Sequence, residues 1–215
     1  MTLGLFNLSG KDLEDNLGLI RRTLEDYSCR LYLFGEGFLQ GPDYPSFDYE
    51  KDIYRTISSS SIEIAGLRKL SKDKGVALGF GYFENVSGGI YNSYMVIDRG
   101  QVIFENSAVS RGWMKKDAHA DYRQGKALKS FKLEGRRFLP VLGFDFFLED
   151  LLIWLVEYDD RVDYFIWLDR SNLEEFIKRS QIFARQTLSL RRDGAYQLSL
   201  GKVLSQNEKA LLVDI

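Results

Sequence analysis

Few residues in this chain have side chains that can do chemistry, and they are scattered. Glu36 sits between two glycines in Phe34-Gly35-Glu36-Gly37, just after the apolar run that begins at Arg30. A carboxylate placed this way can serve as a general base, provided that a group able to give up a proton stands within hydrogen-bond reach. The single cysteine, Cys29, excludes an intramolecular disulfide and any cysteine-rich metal site. Its polar context ahead of an apolar run gives it the character of a small, semi-buried residue. The single histidine, His119, lies in a polar stretch, and no Ser–His–Asp motif accompanies it. Asp117 and Asp121 flank it, but one histidine with two loop carboxylates is a poor ligand set. No metal or cofactor is expected. Trp113, Tyr122 and Phe146 are large enough to line a pocket, although packing is the commoner fate of such residues.

The elements that must position these residues follow from periodicity. Leu13, Leu17, Ile20 and Leu24 mark one face of a helix after a short N-terminal strand. Arg30–Leu39 is a buried strand running into the glycine loop. Residues 50–73 are helical, with Ile53, Ile57, Ile64, Leu67 and Leu70 as anchors; the serines at 58–61 mark a break, one of them capping a second helix. Residues 76–85 form a strand, Ser87-Gly88-Gly89 a hairpin turn, and 90–98 the returning strand. Arg99-Gly100 turns the chain again. Residues 110–130 form a long polar loop. A hairpin around Glu134-Gly135 leads into the very apolar strand 138–146, then a helix over 147–158. Val162–Leu168 is a buried strand and Asn172–Leu190 a helix with Phe176, Ile177, Ile182 and Phe183 as core positions. The tail makes two or three strands with a turn at Gly201. No internal repeat is visible.

Composition fits a packed globular protein: of 215 residues, 45% are hydrophobic and 14% aromatic, which argues against disorder. The length suits one domain, 1–215. A formal net charge of −2 gives no electrostatic reason to expect nucleic acid or an anionic membrane as partner. The basic pairs Arg21-Arg22 and Arg191-Arg192 have the character of solvated faces. No run approaches the ~18 apolar residues of a membrane span, and the first ten residues lack a signal-peptide pattern. A cytoplasmic location is expected.

The motifs, taken in order, resemble the carbon–nitrogen hydrolase (nitrilase) superfamily along nearly the whole chain. Asn16-Leu17 matches the first helix. Phe34-Gly35-Glu36-Gly37-Phe38-Leu39-Gln40-Gly41 matches the family's F-P-E-x-x-L-x-G motif, which puts Glu36 on the general base. Tyr91-Asn92 and Gly100 match a hairpin and turn, and counting forward from Gly100 puts Ala108 at the catalytic lysine. Tyr122-Arg123-Gln124-Gly125 and Gly135-Arg136-Arg137 match the approach to the cysteine strand. There, Asp145 and Glu149 match residues after the nucleophile, and Gly143 occupies the cysteine position.

The resemblance implies a mixed α/β fold, the four-layer α-β-β-α sandwich in compact form. In the family the cysteine attacks a nitrile or amide carbon, the glutamate moves the proton, and the lysine stabilises the developing charge. Glycine has no side chain to attack with, so the expectation is a degenerate homologue, a pseudoenzyme keeping Glu36. It would bind a small amine or amide ligand, or a partner, through the old pocket. Trp113, Tyr122, Phe144 and Asp145 are the candidate binding residues. The alternative is a working amidase with a relocated nucleophile, Ser107 or Ser110. A vacated lysine position also raises the question of what faces Glu36; Lys115, Lys116 and Arg111 are the candidate cations. The resemblance further implies pairing, as a homodimer or with a related subunit, through a helix carrying Phe147, Leu151, Leu152 and Trp154.

Overall fold

The computed structural model describes residues 1–168, 173–191 and 193–215. The first half runs β1 (Thr2–Phe6), α1 (Leu13–Asp26), β2 (Leu31–Phe34), α2 (Tyr49–Asp52), α3 (Ile62–Lys74), β3 (Ala77–Val86), β4 (Gly89–Asp98) and β5 (Gln101–Ser107). A two-residue strand, β6 (Tyr122–Arg123), and the pair β7 (Phe131–Leu133) and β8 (Arg136–Leu142) follow. The second half continues with α4 (Glu149–Asp159), β9 (Tyr164–Leu168), α5 (Leu173–Ser180), β10 (Gln186–Arg191), β11 (Gly194–Ser199), β12 (Lys202–Asn207) and β13 (Ala210–Asp214).

Two sheets result, in the orders β13-β1-β2-β3-β4-β5, with β6 beside β4, and β12-β11-β10-β9-β8-β7. Each has three parallel strands at its centre, β1-β2-β3 in one and β8-β9-β10 in the other, flanked by antiparallel neighbours. The chain thus repeats one architectural pattern twice, although its sequence carries no visible repeat. Strand positions constrain hydrophobicity and alternation more than identity, so such a duplication leaves no fixed period to detect.

Three apolar clusters fill the gaps between layers. Leu3, Leu5, Leu31 and Leu33 of the first sheet meet Phe138, Ile166, Leu168 and Leu188 of the second. Ile20 and Leu24 of α1 and Ile64 and Leu67 of α3 cover the outer face of the first sheet over Leu78, Phe80 and Met95. Leu155 of α4 and Phe176 of α5 cover the second sheet over Val141, Phe165 and Trp167. Helix, sheet, sheet and helix form the expected four layers. β2, buried along its whole length, has the all-apolar composition of a strand covered on both faces.

Local signals explain most element boundaries. Ser61 caps α3 by accepting from the Ile64 N–H. Two-residue turns at Ser87-Gly88, Arg99-Gly100, Glu134-Gly135 and Leu200-Gly201 all have positive φ at both central residues, the turn that suits twisted hairpins.

Four sequence expectations need correction. Ile57 is not a helix anchor: the helical stretch ends in a 3₁₀ turn at Ile53–Arg55, and Ile57 bridges Glu84 of β3. The strand into Asp145 stops at Leu142, where the chain tightens into a 3₁₀ turn over Gly143–Phe147. The last helix ends at Ser180, and Gln186–Arg191 is a strand between β9 and β11. Phe183 is core, as expected, but outside any helix, and Asn172 lies outside the described residues. Arg191 is not on a solvated face: it is 4% exposed, ion-paired with Asp193 at 3.0 Å and set against the rings of Phe176 and Tyr196. Its companion Arg192 lies outside the described residues. Among the described residues no helix is long and apolar enough to cross a membrane.

Candidate functional site

Glu36 sits just past the C-terminal end of β2, where its loop crosses β3. The crossing depends on Gly81. A Cβ there would lie 2.5 Å from the Gly37 N and 2.7 Å from the Glu36 Cα, so only glycine lets the loop pass this close. The loop is tied down by Gly81 N–H donating to Gly35 O at 3.0 Å and Leu39 N–H donating to Gly81 O at 3.1 Å. Tyr94, fully buried, adds a bond from its hydroxyl to Phe34 O at 3.0 Å. With its backbone fixed, the Glu36 side chain accepts from Asn92 Nδ2 at 2.5 Å.

Gly143 reaches the same place from the other sheet. It ends β8 with φ +47°, a left-handed conformation at a sharp strand-to-turn corner. A Cβ built on it would stand 2.9 Å from Glu36 Oε1. The base position and the position of the missing nucleophile therefore face each other across the sandwich. Ala108 is next to both. Its N–H donates to the carbonyl of Asn92, the residue that holds Glu36, at 2.8 Å, and it is 2% exposed.

Asp145 has a different part from the one expected of it. It is 1% exposed, and its carboxylate accepts from the N–H groups of Val109 and Ser110, each at 2.7 Å. It does not line the cleft but clips the Ala108 segment to the Gly143 turn. Burial pushes its carboxyl above the usual carboxylate range, and these hydrogen bonds pull the other way.

A cleft of about 330 Å³ opens beside Glu36 and Gly143. Trp113 and Phe144 line it as expected, together with Asn92, Phe47 and Phe83. Tyr122 stands one layer back, wholly buried, with its hydroxyl donating to Asp52 at 2.7 Å. Asp52 also accepts from Ser46 Oγ at 2.7 Å and Phe47 N at 2.9 Å, which fixes the loop carrying Tyr44 and Phe47. Phe146 is core, stacked on Trp167 with centroids 4.0 Å apart.

The three candidate cations are placed elsewhere. Lys115 donates to Ser46 O at 3.3 Å and stands over the Phe47 ring, while Lys116 and Arg111 are exposed. The basic residue that shares a cavity wall with Glu36 is Arg191, in a smaller space of about 100 Å³ behind the loop. Neither Asn92 nor Arg191 was singled out from sequence as a site residue. Asn92 carried a signal, the Tyr91-Asn92 pair, whereas Arg191 was hidden by its basic neighbour and by the helical reading of its strand.

The possible replacement nucleophiles are poorly placed. Ser107 pairs with Ser93 across the β4–β5 ladder and bonds to its hydroxyl at 2.8 Å. Ser93 alternates with Asn92, so Ser107 and Glu36 lie on opposite faces of the sheet. Ser110 Oγ accepts from Gly112 N at 3.2 Å. Cys29 precedes β2, at the opposite end of the strand from Glu36, and burial pushes its thiol up to about 11, with the nearby Asp214 charge adding to the rise. His119 stacks on Tyr49 at 4.7 Å beside Asp121, away from these groups. Among the described residues there is no group of three or more His, Cys, Asp or Glu arranged to hold a metal.

No family model matches the chain, and no curated protein matches its sequence. Solved structures do. A CN-hydrolase superfamily protein from Xanthomonas campestris, with an arsenic adduct in its active site, superposes with TM-score 0.81 at 13% identity, covering 99% of this chain and 89% of that one. A Glu-to-Gln mutant of the amidase from Nesterenkonia sp. AN1, with acrylamide added at its active-site cysteine, gives TM-score 0.79 at 15% identity, covering 100% and 93%. The glutamine-dependent NAD+ synthetase from Acinetobacter baumannii gives TM-score 0.78 at 16% identity, covering 98% of this chain and 44% of that one. The chain has the fold of carbon–nitrogen hydrolases.

Proposed function

We propose that this protein is a degenerate carbon–nitrogen hydrolase that no longer cleaves C–N bonds and uses the old pocket to bind a small ligand. One observation carries the reading. Gly143 stands at the strand-end corner facing Glu36, and the Glu36 carboxylate approaches to 2.9 Å from where a Cβ would be. The space a nucleophile would use is partly taken by the base itself. The absence of a basic side chain at Ala108 supports the same reading, because the charge of a tetrahedral intermediate would lack its counter-ion. The neighbouring amidase is described with an active-site cysteine, and this chain's only thiol is at the far end of β2.

The test is a panel of small amides and nitriles assayed for ammonia release. No turnover above buffer is expected, for wild type and for Glu36→Gln alike. Turnover that vanishes in Glu36→Gln would show that a nucleophile operates in the cleft and would overturn the reading.

A further inference from the structure

The walls of the cleft have a one-sided chemistry. Among the described residues lining it, two are carboxylates, Glu36 and Asp43, and none is lysine, arginine or histidine. Asn92 adds a further acceptor. A carboxylate can only accept, so Asn92 turns its Nδ2 to Glu36 and its Oδ1 away. Asn92 is 1% exposed, and that oxygen accepts no hydrogen bond from the described residues. A buried carbonyl without a donor is unfavourable, and a ligand N–H would satisfy it. The remaining walls are aromatic. Tyr44 and Phe47 already carry protein cations over their rings, Arg55 at 4.9 Å and Lys115 at 5.1 Å, which leaves Phe83, Trp113 and Phe144 for a ligand.

We propose that the cleft binds a primary amine in its protonated form, the ammonium donating to Glu36 and to Asn92 Oδ1 while its apolar body lies against Phe83, Trp113 and Phe144. This rests on the non-catalytic reading above and names the ligand class of the same site. An ammonium carries three donors and no acceptor, which matches a wall of acceptors. Its bonds to a carboxylate are charge-assisted, and the aromatic rings favour a cation. A neutral amide would bring a carbonyl whose partner in the cleft would be the Trp113 indole N–H, a donor that also has no acceptor among the described residues. A carboxylate ligand would meet Glu36 and Asp43 with like charge.

Benzylamine, benzamide and benzoate, titrated calorimetrically into the intact protein at neutral pH, separate these cases. Benzylamine should bind, benzamide about tenfold or more weakly, and benzoate not at all. Glu36→Gln should cost benzylamine about tenfold in affinity while leaving the melting temperature near wild type. If that variant fails to fold, Phe144→Ala, on a half-exposed side chain, should weaken benzylamine several-fold. Benzamide binding as tightly as benzylamine, or benzylamine binding untouched by Glu36→Gln or, failing that, by Phe144→Ala, would overturn the proposal. Absence of benzylamine binding without ammonia release from benzamide would overturn this inference alone. Ammonia release from benzamide would overturn the non-catalytic reading instead.

Discussion

Gly143 meets two separate demands. Its φ of +47° lies where an L side chain places Cβ against its own backbone, and its missing Cβ leaves room for the Glu36 carboxylate. Gly143→Ala should therefore destabilise the protein by about 1–2 kcal/mol, the ordinary cost of a non-glycine residue in this conformation, measured by urea unfolding. Contact with Glu36 adds little, because the end of a glutamate side chain can swing aside. Gly143→Cys should cost a similar amount and gain no amide turnover, since Ala108 still leaves the intermediate's charge unmatched. A gain of turnover would mean that the lysine is dispensable in this pocket. Part of this arrangement was legible before the structure: the spacing from Asp145 marked Gly143, and the glycine-flanked loop marked Glu36. What could not be read was the company they keep. Asp145 looked like a pocket residue because it follows the nucleophile position. Its carboxylate is instead spent on two backbone N–H groups, a use that depends on a segment 35 residues away and leaves no local trace.

Strands β3, β4 and β5 do more than carry Asn92 and Ala108. On their outer face Glu84 and Glu105 sit close together beneath a buried tyrosine. Tyr82 donates to Glu105 at 2.5 Å, and Ser93 donates to Glu84 at 2.9 Å. Burial, and then the charge of Glu105, push the Glu84 carboxyl above its ordinary value. A carboxyl raised in the folded state holds its proton more tightly there than in the unfolded chain. Stability contributed by this group therefore falls as pH rises through the window between the two values, and the full cost of the buried charge is present above the folded one. Glu84→Gln, which keeps an acceptor for Ser93, should be more stable than wild type at pH 7–8. The difference should shrink as pH is lowered toward 4.5, the ordinary glutamate value. Urea unfolding of both proteins across that range measures it, and a difference that grows on acidification would show that Glu84 is ionised at no cost. At this scale the sequence was most informative where periodicity and turn residues agreed, as in the hairpins at Ser87-Gly88 and Arg99-Gly100. It misled at Gln186–Arg191, where Thr187, Leu188, Ser189 and Leu190 are all buried. A strand covered on both faces shows no alternation of burial to set against the helical pattern just before it.

On the whole molecule, the helix layer over the second sheet leaves apolar surface uncovered. Of the residues expected to form a pairing face, Leu151 is 4% exposed and packed inward, and Phe147 and Leu152 are half-buried against the core. The outward residues are their neighbours: Ile153 at 68%, Trp154 at 44% and Val156 at 47% exposed, with Phe144 and Leu148 nearby in sequence at 51% and 38%. The helical period was right, but the side facing the core was misjudged, because Leu151-Leu152-Ile153-Trp154-Leu155-Val156 is apolar all round and a uniformly apolar helix has no preferred face in sequence. Scattered exposed apolar residues are ordinary, whereas several on one short helix mark a surface that gains by being covered. A second copy is the simplest cover, since closed two-fold pairing is the commonest assembly of soluble chains. At tens of micromolar the protein should elute from gel filtration, with light scattering, at twice its monomer mass. The double substitution Ile153→Glu with Trp154→Glu should return it to a monomer with little change in folding, because both side chains face outward. Wild type that is monomeric at that concentration would remove the homodimer and leave a related subunit as the partner to seek. A dimer unaffected by the two glutamates would place the interface elsewhere, with the second sheet's uncovered edge strand β12, which carries Val203 and Leu204 at 40% and 54% exposure, as the surface to test next.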